Sequence, residues 1–213
     1  MSIVKLNNRS VKDVTAFGSI SSLGELEFIK KQTISSAVSY VDFIHGTSGV
    51  VLDSTYKEYI FYLNSMHHDS QSEPDITVNF SIDSGSNFNV AKTSTSFRAL
   101  HGEGGENGIV GWYSTTSEAQ GTAGQYLSLN AGTDNDHTMS GFLHLMNPAS
   151  TTFVKHYIGQ INEVHALPRS NTNVFAGYCN TTSAINAVRF NGEYAERSDG
   201  NIDSGEILLF GLN

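Results

Sequence analysis

Several short stretches bring together side chains able to do chemistry. Asp134-Asn135-Asp136-His137 places two carboxylates and an amide within one turn, the oxygen donors of a hard-cation loop. Calcium takes about six to eight oxygens, more than this turn supplies, so a solvated turn is the plainer reading. His101, Glu103 and Glu106 share the run His101-Gly102-Glu103-Gly104-Gly105-Glu106, whose glycines are too pliable to hold metal ligands at fixed separations. His67-His68-Asp69 follows an aromatic run and reads as a solvated loop carrying a titrating histidine pair. Cys179, the single cysteine, cannot form an intramolecular disulfide; within Val174-Phe175-Ala176-Gly177-Tyr178-Cys179 it reads as a small buried hydrophobe.

Nucleophilic catalysis finds little purchase. The chain has no Gly-x-Ser-x-Gly elbow, and its Ser, His and Asp residues are too numerous for any one triad to stand out. Glycoside hydrolysis needs two carboxylates at a set separation; Glu103, Glu106, Glu118, Asp134 and Asp136 are available in loops, but nothing in their spacing sets that separation. Trp112, the single tryptophan, stands beside Tyr113, where it reads either as a sugar-stacking platform or, more plainly, as core. No catalytic, cofactor-binding or metal residue is assigned on this basis, and the chain is expected to be non-enzymatic and without a cofactor.

The bulk composition narrows the partners. A formal charge of −9 over 213 residues leaves no surface for neutralising phosphates, so nucleic acid is not an expected partner. No window approaches the ~20 apolar residues of a membrane helix, and residues 1–12 lack the apolar core of a signal peptide. Synthesis in a reducing cytoplasm is therefore expected, without membrane insertion. Charged residues make up only 15%, below the usual share of about a quarter, and Ser, Thr, Asn and Gly fill the polar positions. That composition suits short strands and many turns.

The elements that must position these residues are strands. Ile76, Val78, Phe80 and Ile82 alternate with Thr77, Asn79 and Ser81, the pattern of a half-buried strand. Tyr59 to Leu63 carries apolar side chains on both faces, as expected of a central strand covered on each side. Asp83-Ser84-Gly85-Ser86-Asn87 supplies a tight turn between Ile82 and Phe88. Further strands are expected at 27–32, 38–44, 55–64, 75–82, 95–100, 108–113, 125–129, 140–146, 152–160, 174–180, 184–191 and 206–212. Pro74, Pro148 and Pro168 fall outside them, as their missing ladder donor requires. No stretch has a capped 3.6-residue stripe, so little or no α-helix is expected. The fold class is all-β: a single antiparallel, jelly-roll-like β-sandwich over residues 27–213.

Residues 1–26 differ. Lys5, Arg9 and Lys12 lie among Ile3, Val4, Leu6, Val11, Val14, Phe17 and Ile20 without a clean period. An arm that packs on its own domain or a neighbouring subunit is expected, with a first edge strand as the alternative.

The run Val4-Lys5-Leu6-Asn7-Asn8-Arg9-Ser10-Val11-Lys12-Asp13-Val14-Thr15-Ala16-Phe17-Gly18-Ser19 resembles a group of virion structural proteins of marine tailed phages, such as those of cyanobacteria and pelagic bacteria. The likeness continues through Leu52-Asp53-Ser54-Thr55-Tyr56-Lys57-Glu58-Tyr59, Asp83 to Phe88, Asn147-Pro148-Ala149-Ser150-Thr151-Thr152-Phe153-Val154-Lys155-His156 and Gly200-Asn201-Ile202-Asp203-Ser204-Gly205. These are turn and strand signatures. The resemblance implies a β-sandwich on the particle exterior, docked to other virion proteins through the N-terminal arm and assembled as a homo-oligomer, trimers being frequent. It implies a tail-fibre or appendage module contacting the host surface, with a surface glycan as ligand; a capsid decoration protein, and then a surface-polysaccharide depolymerase or a lectin-like domain, are the alternatives.

Overall fold

Two antiparallel sheets pack face to face. The structure, a computed structural model, describes residues 26–69, 74–106, 108–194 and 200–213. The arm expected at 1–26 lies outside the described residues except for Leu26. The larger sheet runs β1 (Glu27–Ile34), β13 (Ile202–Leu212), β3 (Glu58–His68), β9 (Met139–Met146), β10 (Lys155–Val164), β11 (Arg169–Cys179), β5 (Lys92–Gly102) and β6 (Ile109–Trp112), with β7 (Ala119–Gly121) also paired to β5. The smaller sheet runs β2 (Tyr40–Ile44), β12 (Ala187–Tyr194), β4 (Pro74–Ser81) and β8 (Gln125–Tyr126). A short 3₁₀ turn at Ser114–Thr116 is the only helical element among the described residues.

The core follows from the alternation. Ile76, Val78 and Phe80 on β4 and Val188 and Phe190 on β12 point at Tyr59, Phe61 and Leu63 on β3, all fully buried. Phe43, Phe61 and Phe190 meet edge to face, with ring centroids 5.2, 5.4 and 6.1 Å apart, a geometry that aligns positive ring edges with negative faces. Each buried ring contributes on the order of 1.5–3 kcal/mol by leaving water. Bare backbone makes room where rings need it: a Cβ on Gly211 would fall 2.3 Å from the Tyr56 ring.

The expected turn at Asp83 to Asn87 forms as its residues require. Ser84 and Gly85 take φ of 58° and 82°, and the Asp83 carboxylate accepts from Ser81 Oγ at 2.7 Å, the Asn87 backbone N–H at 2.9 Å and Asn87 Nδ2 at 2.7 Å. Hydrogen bonds from Asn87 and Ser81 hold its pKa down at about 2.

Several expectations are corrected. Pro74 lies inside β4, as its first residue, where a missing N–H breaks no ladder bond. The strand expected at 152–160 starts at Lys155 and runs on to Val164, and the one expected at 174–180 starts at Arg169, because β10 and β11 form one long hairpin with continuous register. Ala119–Gly121, unanticipated, forms β7 on the rim of β5. Strand β4 is buried on both faces, Thr77, Asn79 and Ser81 included, and Ile82 lies outside it and exposed. Strand β3 departs in the opposite sense: Tyr59, Phe61 and Leu63 are buried, but Tyr62 on the other face is exposed.

Candidate functional site

A polar concavity lies on the outer face of the smaller sheet. Period-2 alternation turns Arg189, Asn191 and Glu193 of β12 away from the core residues Val188 and Phe190, beside Asn79 of β4. Phe88, delivered by the Asp83 turn, and Ala123-Gly124, leading into β8, close a cleft of about 420 Å³ around them. Behind Asn79 stands Lys92, fully buried, whose Nζ donates to Asn79 Oδ1 at 2.6 Å and to the Val90 carbonyl at 3.1 Å. Asn79 Nδ2 in turn donates to the Thr122 carbonyl at 3.1 Å.

Burial tunes the charges here. It pushes the Lys92 amine down to about 8 and pushes the Glu118 and Glu193 carboxyls up, since a charged form is disfavoured away from water. Glu193 Oε1 accepts from Thr77 Oγ1 at 2.7 Å. Arg189 grips Asp42 with two bonds, Nε and Nη2 each 2.7 Å from a carboxylate oxygen. Its guanidinium lies 3.8 Å over the Tyr40 ring and 4.0 Å over the Phe88 ring, so salt bridge and ring stacking fix it together. The cleft presents amides, a carboxylate and a guanidinium held rigid, a set that exchanges hydrogen bonds with a polyhydroxyl ligand. The titratable groups that burial shifts are a recognised mark of functional sites.

A second candidate surface is the outer face of the larger sheet. One register row crosses it from Lys31 through Leu208 to Tyr62 and Phe142, and continues through Gln160, Val174, Phe97 and Trp112. The next row carries Phe28, Phe210, Ile60, His144, Ile158 and Ala176. Exposure is high along it: Trp112 is 69% exposed, Phe28 54% and Phe97 47%. Met146, His156, Ile158 and Tyr178 surround a hollow of about 560 Å³ floored by Ala176 and Gly177. A soluble monomer rarely leaves an apolar surface of this extent open.

The residues singled out from sequence land apart from one another. Trp112 is not core: it stands on edge strand β6 with one face free, beside Phe97 across the strand pair. Asp134 and Asp136 lie 3.8 and 3.9 Å from His137 Nε2, with both carboxylates strongly exposed. Among the described residues no group of three His, Cys, Asp or Glu side chains is placed to hold a metal ion. His67 and His68 belong to β3 rather than to a loop, because Ile202 and Ser204 of β13 pair with them. His67 Nδ1 is 2.6 Å from Asp203 Oδ1, and its Nε2 is 3.2 Å from the Asp134 carbonyl. His68 is buried, and burial pushes its pKa down to about 4. Asp69 accepts from Asn201 Nδ2 at 2.6 Å. His101 is the next-to-last residue of β5, and Glu103 donates its backbone N–H to the Pro168 carbonyl at 2.9 Å. Cys179 is fully buried, between Lys155 and Lys92 on the flanking strands, and burial pushes its thiol up to about 12.

The cleft residues escaped the sequence reading, although Arg189-Phe190-Asn191 holds the signal: a polar–apolar–polar alternation with a cation outside. No family model, no curated protein and no solved structure matches the chain. Among the described residues no helix is long and apolar enough to cross a membrane.

Proposed function

We propose that this chain is a non-enzymatic structural protein of a bacteriophage particle's exterior, a tail-fibre or appendage module that contacts the host surface. The observation carrying this reading is the apolar outer face of the larger sheet, with Trp112, Phe97 and Phe28 open to solvent. Such a face is what an assembled protein offers its neighbours. The N-terminal arm at 1–26 leads into β1, the edge of that sheet, and joins the module to other virion proteins. On the opposite side of the sandwich, the Asn79–Arg189–Glu193 cleft supports contact with a host glycan. Individually weak sugar contacts gain strength when an oligomer displays several copies. The same broad apolar face also suits a capsid decoration protein that bridges shell subunits, and this is the second reading.

Gold-labelled antibody against the chain on purified particles tests the proposal. Label at the tail is the expected result. Label over the shell moves the assignment to decoration, and particles free of the chain overturn both readings.

A further inference from the structure

We propose that the outer face of the larger sheet is where a second copy of this chain packs, sheet against sheet across a twofold axis. The pairing rests on reading that face as an assembly surface, and adds to it what the surface meets. Its size is the first argument. Neighbouring strands lie about 4.8 Å apart and same-face residues about 6.8 Å apart along a strand. The two rows named above and the flanking rows of Glu206 and Glu58, each crossing six to eight strands, therefore cover on the order of 900 Å². A stable pair needs about 800 Å² from each partner.

Charge is the second argument. The chain carries −9 overall, and two like-charged copies approach best through a surface without net charge. Of the two carboxylates in these rows, Glu206 is matched by Lys31, whose Nζ lies 2.7 Å away, and Glu58 lies 2.7 Å from His144 Nε2. The rest of the rows is apolar or neutral.

Shape is the third. The face carries both projections and a recess: Trp112 and Phe97 stand out at one end, and the hollow of about 560 Å³ lies over Ala176 and Gly177 on the neighbouring strands. A surface holding both knob and socket is self-complementary, as a twofold interface requires. A threefold ring would need two different patches instead.

Sedimentation velocity of the full chain over a micromolar dilution series decides the matter, alongside Phe97→Glu and Trp112→Glu. The wild type is expected to sediment as a dimer, and each variant to dimerise at least roughly tenfold more weakly, a cost of about 1.4 kcal/mol. Trp112 is mostly solvated, so its variant keeps the test valid if Phe97→Glu fails to fold. A monomeric wild type, as when residues 1–26 or another virion protein cover the face, overturns the proposal. So does a trimer, or a dimer indifferent to both substitutions. A monomer that still labels on particles refutes the pairing alone; a dimer absent from particles refutes the virion assignment alone.

Discussion

Phe190→Ala is expected to lower the unfolding free energy by about 3–5 kcal/mol, the range for truncating a fully buried aromatic ring. Phe190 lies on β12, in the middle of the smaller sheet, and has no exposed surface. Its ring meets Phe61 of the larger sheet at 5.4 Å and Phe43 of β2 at 6.1 Å, so it joins three strands and both layers. Alanine removes the apolar area and leaves a cavity that backbone pinned by two ladders cannot close: β12 pairs with β2 on one side and β4 on the other. Urea unfolding should give a lower midpoint with an unchanged slope. A loss below about 1 kcal/mol, the size typical of an ordinary substitution, would mean that the two layers are not held through this ring.

Glu163→Gln is expected to remove most of the alkaline loss of stability. Glu163, on β10, is buried against β11 and the segment after β8, where its carboxyl accepts from Asn171 Nδ2 and, at 3.2 Å, from the Leu129 N–H. Burial outweighs those bonds and pushes its pKa up to about 8. The folded state then holds a proton that the unfolded chain releases near pH 4.3. Protons bound in excess by the native state make stability fall as pH rises. The contribution is fully present below about 4.3 and is lost on the way to about 8, at roughly 1.4 kcal/mol per unit. His68, pushed down to about 4, acts in the opposite sense: its neutral form is favoured in the fold, so stability rises until the unfolded value near 6.5. Lys92, pushed down to about 8, brings a gain only above that. The window from about pH 6.5 to 8 therefore separates Glu163 from His68 and Lys92. Across it the wild type should lose about 2 kcal/mol in denaturant titrations and the glutamine variant much less; parallel curves would place the buried proton elsewhere.

Much of the fold was legible because strand alternation is a local signal. Ile76-Thr77-Val78-Asn79-Phe80 needs only its own side chains to declare a strand, and the Asp83 to Asn87 turn closes on bonds within five residues. The errors fall where distant residues decide. Asn79 and Thr77 read as solvated because their covers, Lys92 and Glu193, arrive from β5 and β12. Tyr62 reads as buried because apolar side chains on both faces of 59–63 look alike whether the second cover is the same chain or another molecule. Lysine is rarely buried, and nothing near Lys92 in sequence announces the Asn79 amide that receives it. Trp112 reads more plainly as core than as a stacking platform by its chemistry alone, and β6 instead holds it on an edge. The Arg189 cleft takes residues from strands well apart in sequence, so no motif spans it. The charge and composition arguments depended on no contacts.

The account stands on the claim that the outer face of the larger sheet is covered when the protein is in its place. Oxidative footprinting of Trp112, Phe97 and Tyr178, run on intact particles and on the isolated chain diluted until it is monomeric, tests this most directly. The account predicts strong labelling in the dilute chain and marked protection on the particle, with Tyr113 as an off-face comparison. Equal labelling of Trp112 and Phe97 in both states would contradict it, because the face would then remain open on the particle, where it should be closed.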